Sequence, residues 1–133
     1  MKIKFIWMFR IIASVIMLQT LFYKFTGSPE SIYIFTTIGV EPFGRIAAGI
    51  SELIASILLL FSSTYLYGAI LTLAIMSGAL ISHLTILGIE VQKDGGLLFL
   101  LAIVVFITSL GIILLEKEKF IFLMQTIRSK FKK

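Results

Sequence analysis

Four runs of apolar side chains, each about as long as a lipid bilayer is thick, constrain this chain more than any other feature. A hydrocarbon core about 30 Å deep takes roughly 20 residues of α-helix. The segments Phe5 to Phe25, Gly44 to Phe61, Leu66 to Gly88 and Leu97 to Leu115 meet that requirement. In lipid the backbone must satisfy its own hydrogen bonds, so each run is expected as a spanning helix. Composition points the same way: of 133 residues, 59% are hydrophobic and 14% charged, with a mean hydropathy of +1.07. A water-soluble domain this small needs more polar surface than that. The expected fold is therefore all-α, an integral membrane four-helix bundle over residues 1–118 followed by a basic tail, 119–133.

The connections add detail. "SSTY" between spans two and three is so short that those helices must form an antiparallel hairpin. Between spans one and two, Ser28, Pro29 and Glu30 form a helix-start signal and Gly39 before Pro42 a stop. A short helix is expected there, lying at the membrane interface with Tyr33 and Phe35 at headgroup depth, either plugging the mouth of the bundle or acting as a lid. The C-terminal "KFIFLMQTIRSKFKK" puts Phe120, Met124, Ile127 and Phe131 at helical spacing, with basic residues elsewhere around the helix. Such a segment suits an anionic membrane surface or a docking partner. The N-terminus has the basic start of a signal peptide, but Arg10 interrupts a long apolar run and no small-residue cleavage site follows, so an uncleaved first span is expected.

Charge distribution sets orientation. The net charge of +5 does not point to nucleic acid, because the basic residues gather at the chain ends: Lys2, Lys4 and Arg10 at one, Lys117, Lys119, Arg128, Lys130, Lys132 and Lys133 at the other. By the positive-inside rule both termini are expected in the cytoplasm. The chain has no cysteine, which removes disulfide exchange and thiolate-held metal from the available chemistry.

The informative residues are the ionisable ones inside the spans. At 100° per residue, Arg45, Gly49, Glu52 and Ser56 share one stripe of span two, and the small residues beside Glu52 let another helix approach closely. Arg10, Ala13, Met17, Thr20 and Lys24 share a face of span one; Thr72, Met76, Ala79 and His83 share one of span three. Given the expected orientation, Lys24, Arg45, Glu52 and His83 all fall in the outer half of the membrane, which predicts a polar pocket opening outward under the interfacial helix. A charged side chain at a helix centre costs about 2.5 to 3.5 kcal/mol, which the apolar residues of span two offset, so insertion alone does not dictate a role for Glu52. A hydrogen bond from His83 to Glu52 is expected; a single histidine builds no metal site. Gln19, Tyr23 and Tyr67 are polar enough to join the network. Span four carries no charge and reads as a packing helix, with Thr108, Ser109 and Gly111 at a contact. No phosphate loop or nucleophile elbow is present.

Taken together, these residues resemble the DoxX family of small four-span bacterial membrane proteins. The resemblance runs from Arg10 to Leu115 and rests on the arginine of span one, the lysine in "FYKFTG", the "IGVEP" turn, the glutamate in "GISELIASILLL" and the histidine in "ALISHL". The chain departs from the family pattern in lacking a glycine just before that lysine. The resemblance implies a membrane bundle with Lys24, Arg45, Glu52 and His83 at its polar centre. The family takes its name from a subunit of a membrane thiosulfate:quinone oxidoreductase, and other members are linked to redox complexes.

Three functional readings follow. The first is an accessory subunit of a quinone-linked redox complex, not catalytic alone, with quinone as the candidate ligand and the redox enzyme as partner. The second is a small proton-coupled transporter or exporter working as a homo-oligomer, since four spans are few for alternating access. The third is a structural or assembly factor in which the Glu52 network fixes helix register.

Overall fold

The computed structural model describes all residues, 1–133, and is built entirely of helices. They are α1 (Lys2–Thr26), α2 (Pro29–Ile38), α3 (Phe43–Leu60), α4 (Tyr65–Ser82), which widens into a π-helical turn over His83–Leu87, α5 (Leu97–Leu115) and α6 (Lys117–Phe131). Four of them, α1, α3, α4 with its π turn, and α5, are long and apolar enough to cross a membrane. A bilayer is thus the environment of this bundle.

Local signals set the ends. Gly27 takes a left-handed conformation, φ 67°, and closes α1. Ser28 accepts a hydrogen bond from the Ser31 amide at 3.2 Å and starts α2, with Pro29 at its first position, where a missing amide costs nothing. The α5 start is capped by Asp94, whose carboxylate accepts from the amides of Val91 (3.0 Å), Gly96 (2.8 Å) and Leu98 (3.1 Å).

Around the bundle, α1 packs on α3 and α5, and α4 packs on the same two, so α1 and α4 face each other diagonally. Lys2 approaches Glu116 at 3.8 Å and Lys119 approaches the Tyr65 hydroxyl at 3.4 Å. These contacts place the N-terminus, the α3–α4 turn and the start of α6 at one end, called here the terminal end; α2 lies across the other. The core is small: Ala13, Met17, Ala55, Leu59, Ala69, Met76, Val105 and Ile112 are buried along the axis. Large apolar side chains point outward from every span, among them Val15, Phe22, Ile54, Ile57, Ile81, Leu100 and Ile107. That inversion fits a bundle whose outer solvent is hydrocarbon.

Close helix approach depends on two glycines. At Gly68 a Cβ would sit 2.6 Å from the Leu59 backbone nitrogen, so the α3–α4 hairpin closes only without a side chain there. Gly111 lies under the Phe9 ring, 2.8 Å from where its Cβ would be. Thr108 and Ser109 are buried beside it. The short helix expected between spans one and two is α2, but Phe35 differs from expectation. It shares a face with Ser31, Ile34 and Ile38, and that face covers the bundle, while Tyr33 stays exposed.

Candidate functional site

Beneath α2 the four spans enclose a cavity of about 530 Å³. Its walls come from α1 (Met17, Thr20, Lys24), α3 (Ala48, Glu52), α4 and the π turn (Met76, Ala79, His83) and α5 (Leu98, Ala102, Val105), with Ile34, Phe35 and Ile38 of α2 as roof. Of 27 lining residues, 17 are hydrophobic, so a ligand filling it is mostly apolar with a small polar part.

The polar part of the wall is organised around Glu52. Lys24 Nζ lies 3.0 Å from Glu52 Oε2 and donates to Thr20 Oγ1 at 3.2 Å. Thr20 in turn approaches Glu52 Oε2 at 3.5 Å. The lysine and threonine stand one turn apart on α1, facing the carboxylate across the α1–α3 contact. The pair is well shielded: the Lys24 and Glu52 side chains keep 16% and 8% of their exposure. One amine, one carboxyl and one hydroxyl thus sit at the edge of an apolar cavity, a set able to donate to, accept from or pass a proton to a ligand atom.

His83 lines the same cavity but does not bond to Glu52 as expected. Its Nδ1–H donates to the Gly88 carbonyl at 2.9 Å, and its ring packs edge-on to Phe99 with centroids 5.5 Å apart. The π turn brings the Gly88 carbonyl back to the ring, and a partner five residues away is reached at little entropic cost. With Nδ1 donating to Gly88, Nε2 is the ring nitrogen left for a ligand.

Arg45 stands outside the cavity. It forms an ion pair with Glu41, Nε to Oε1 at 2.8 Å, and its Nη1 donates to the Lys24 carbonyl. It fastens the end of α1 to the start of α3 and so positions Lys24 from behind. Of the four residues expected to converge, three line the cavity and the fourth ties down one of them. Gly49 and Ser56 flank Glu52: Gly49 receives the Phe25 ring, and Ser56 Oγ donates to the Glu52 carbonyl at 2.8 Å.

Sequence reasoning passed over Asp94, which lines the cavity from the α5 cap; an aspartate before two glycines and an apolar run was the available signal. Burial pulls the Asp94 carboxyl upward, but the amides of Val91, Leu98 and Gly96, helped by His83, outweigh it and hold the group below its ordinary range. Gln19 and Tyr23 also line the cavity, whereas Tyr67 lies at the terminal end beside Lys119. No three histidine, aspartate or glutamate side chains gather closely enough to hold a metal ion.

Compared with protein families, residues 5–85 match the DoxX family model. The chain belongs to the DoxX family. The match covers α1 through the first residues of the π turn, and so includes Lys24, Arg45, Glu52 and His83; α5 lies outside it. Neither curated proteins nor solved structures give a match. This DoxX protein is a multi-pass membrane protein.

Proposed function

We propose that this DoxX protein is an accessory subunit of a quinone-linked membrane redox complex and holds a quinone headgroup in the cavity under α2. The observation that carries the reading is the Lys24–Glu52 pair at the edge of an apolar, bilayer-depth cavity of about 530 Å³, within the size range of small-molecule sites. A quinone is an apolar ring with carbonyl oxygens at opposite ends, and the wall supplies matching groups. Lys24 Nζ donates to one oxygen, Thr20 orients the lysine, and the Glu52 carboxyl, 3.0 Å from the amine, handles the proton at that same end, while His83 Nε2 serves the other. The apolar lining excludes water from the ring, which strengthens each of these hydrogen bonds.

A bound quinone supplies two-electron, two-proton redox chemistry; the electrons come from a partner, because this chain has no thiol or metal cluster of its own. The chain therefore binds, orients and handles protons. The basic ends support an orientation with the terminal end on the cytoplasmic side of a bacterial inner membrane and the α2 end outside, residues 1–118 serving as the DoxX-like domain and 119–133 as a basic tail.

The test is to solubilise the tagged protein mildly from its native membrane and identify the proteins and quinones recovered at fixed ratio. A stoichiometric oxidoreductase whose quinone reduction falls about tenfold or more in Glu52→Gln supports the reading. A chain recovered without either, or a partner whose activity ignores both Glu52→Gln and His83→Ala, rejects it.

A further inference from the structure

One turn beyond the cavity floor, toward the terminal end, every span contributes a small hydroxyl residue. Ser14 follows Met17 on α1, Ser56 follows Glu52 on α3, Thr72 follows Met76 on α4 and Ser109 follows Val105 on α5. All four hydroxyl residues are 0 to 1% exposed. The next turn holds Arg10, Leu59 and Ile112, with the small Ala69 from α4. The layer thus gathers four short hydroxyl side chains in the interior of the bundle.

The hydroxyls of this layer are not alike. Two members of the layer satisfy themselves on a carbonyl of the preceding turn, Ser56 on Glu52 and Ser109 on Phe106, as Ser77 does on Leu73 elsewhere in the spans. Ser14 Oγ and Thr72 Oγ1, from the two diagonal helices, are buried without any partner. So is Arg10 Nη2, one turn below Ser14. The Arg10 guanidinium is 2% exposed, donates from Nε to the Leu59 carbonyl and lies over Trp7 at 3.7 Å and Tyr65 at 4.8 Å, with no carboxylate in ion-pair range. Each of these groups is buried in a bundle that bulk water does not reach, so each calls for a partner.

We propose that Ser14, Thr72 and Arg10 hold bound water in the bundle interior, beneath the cavity floor of Met17, Met76 and Val105. Water suits the site better than a cation, because every orphaned group can donate and the neighbouring charge, that of Arg10, is positive. It also suits the chemistry of the hydroxyls, which both donate and accept and so support the three or so hydrogen bonds a buried water makes. Arg10, always charged, bars hydronium and metal cations from passing to the terminal end. The cavity is then open to protons from the α2 end only.

The sign of a stability change tests this directly. If the hydroxyls are truly unpaired, replacing them by apolar groups of the same shape is neutral or stabilising; if they hold water, it is destabilising. The full chain in detergent is expected to lose about 2 to 5 °C of unfolding midpoint in Thr72→Val and in Ser14→Ala. The double variant loses less than the sum, because both substitutions release the same water. A midpoint unchanged or raised in the single variants overturns the proposal. A second readout needs no variant: in water-edited solid-state NMR of the wild type in bilayers, the Thr72 methyl and Arg10 guanidinium receive water magnetisation well before Ile112, a buried residue of the next layer. Equal build-up at all three overturns it. So does a wild-type midpoint that tracks chloride concentration and loses that dependence in Arg10→Gln, which would make the occupant an anion.

Discussion

Lys24 and Glu52 meet because two helical faces were legible in the sequence. Thr20 and Lys24 stand one turn apart, Gly49 and Glu52 lie on one stripe, and glycine opposite the Phe25 ring lets the two helices close. The partners of Arg45 and His83 were missed, for one shared reason: each is satisfied locally, Arg45 by Glu41 four residues earlier and His83 by Gly88 five residues later. A long-range pairing read from faces competes poorly with an acceptor the chain already holds nearby. The Glu41–Arg45 spacing is itself visible in the sequence, and reading it first would have removed Arg45 from the pocket. Removing one member of a buried ion pair strands the other, so Glu52→Leu or Lys24→Met alone is expected to cost about 3 kcal/mol, the low end for such pairs because Lys24 keeps some exposure. The double variant Lys24→Met/Glu52→Leu should recover most of it. Thermal unfolding of the four proteins in one detergent measures this; additive losses would mean that the two side chains do not act as a pair.

At the scale of elements, the spans, the hairpin and α2 were readable from apolar run length and from Ser28, Pro29 and Gly39. The inward face of α2 was not, because a ten-residue helix lying on a bundle can present either side to it until packing decides. Ser31, Ile34, Phe35 and Ile38 won because together they cover the cavity. The α3–α4 hairpin rests on Gly68 against backbone atoms of Leu58 and Leu59. Backbone cannot swing aside as a side chain can, so Gly68→Ala is expected to destabilise by about 1 to 3 kcal/mol, whereas Gly78→Ala, where nothing lies within 4 Å, should be neutral or better. Equal midpoints for the two variants would contradict this packing.

The start of α5 gives a pH signature. The Asp94 carboxyl is held below its ordinary value in the folded protein, so its contribution to stability is complete above that ordinary value. It is lost as pH falls through the lowered one. Asp94→Asn should cost about 1 kcal/mol near neutrality and flatten the acid limb of the stability profile below about pH 4. An unchanged acid limb in the variant would show that the cap does not carry it.

For the whole molecule, composition alone identified lipid as the outer solvent, and the structure follows with large apolar side chains outside and small ones at the axis. The hydroxyl layer was not legible: its members are ordinary residues in four separate spans, brought level only by the register of the bundle. Orientation is a whole-molecule property too. The basic ends predict that a single cysteine at Lys93, beside the α2 end and in a chain with none of its own, reacts with an impermeant maleimide added to intact cells. Labelling only after lysis would reverse the orientation and with it the side on which proton exchange is proposed.

The central claim is that the cavity under α2 holds a quinone through Lys24 and Glu52. Its most direct measurement is the quantity of quinone extracted per chain from protein purified mildly from native membranes, wild type beside Lys24→Met/Glu52→Leu. The account predicts about one quinone per wild-type chain and a loss of roughly tenfold in occupancy in the folded double variant, as expected when about 1.4 kcal/mol of headgroup hydrogen bonding is removed. Wild-type protein free of quinone, or a double variant that retains it in full, would contradict the account.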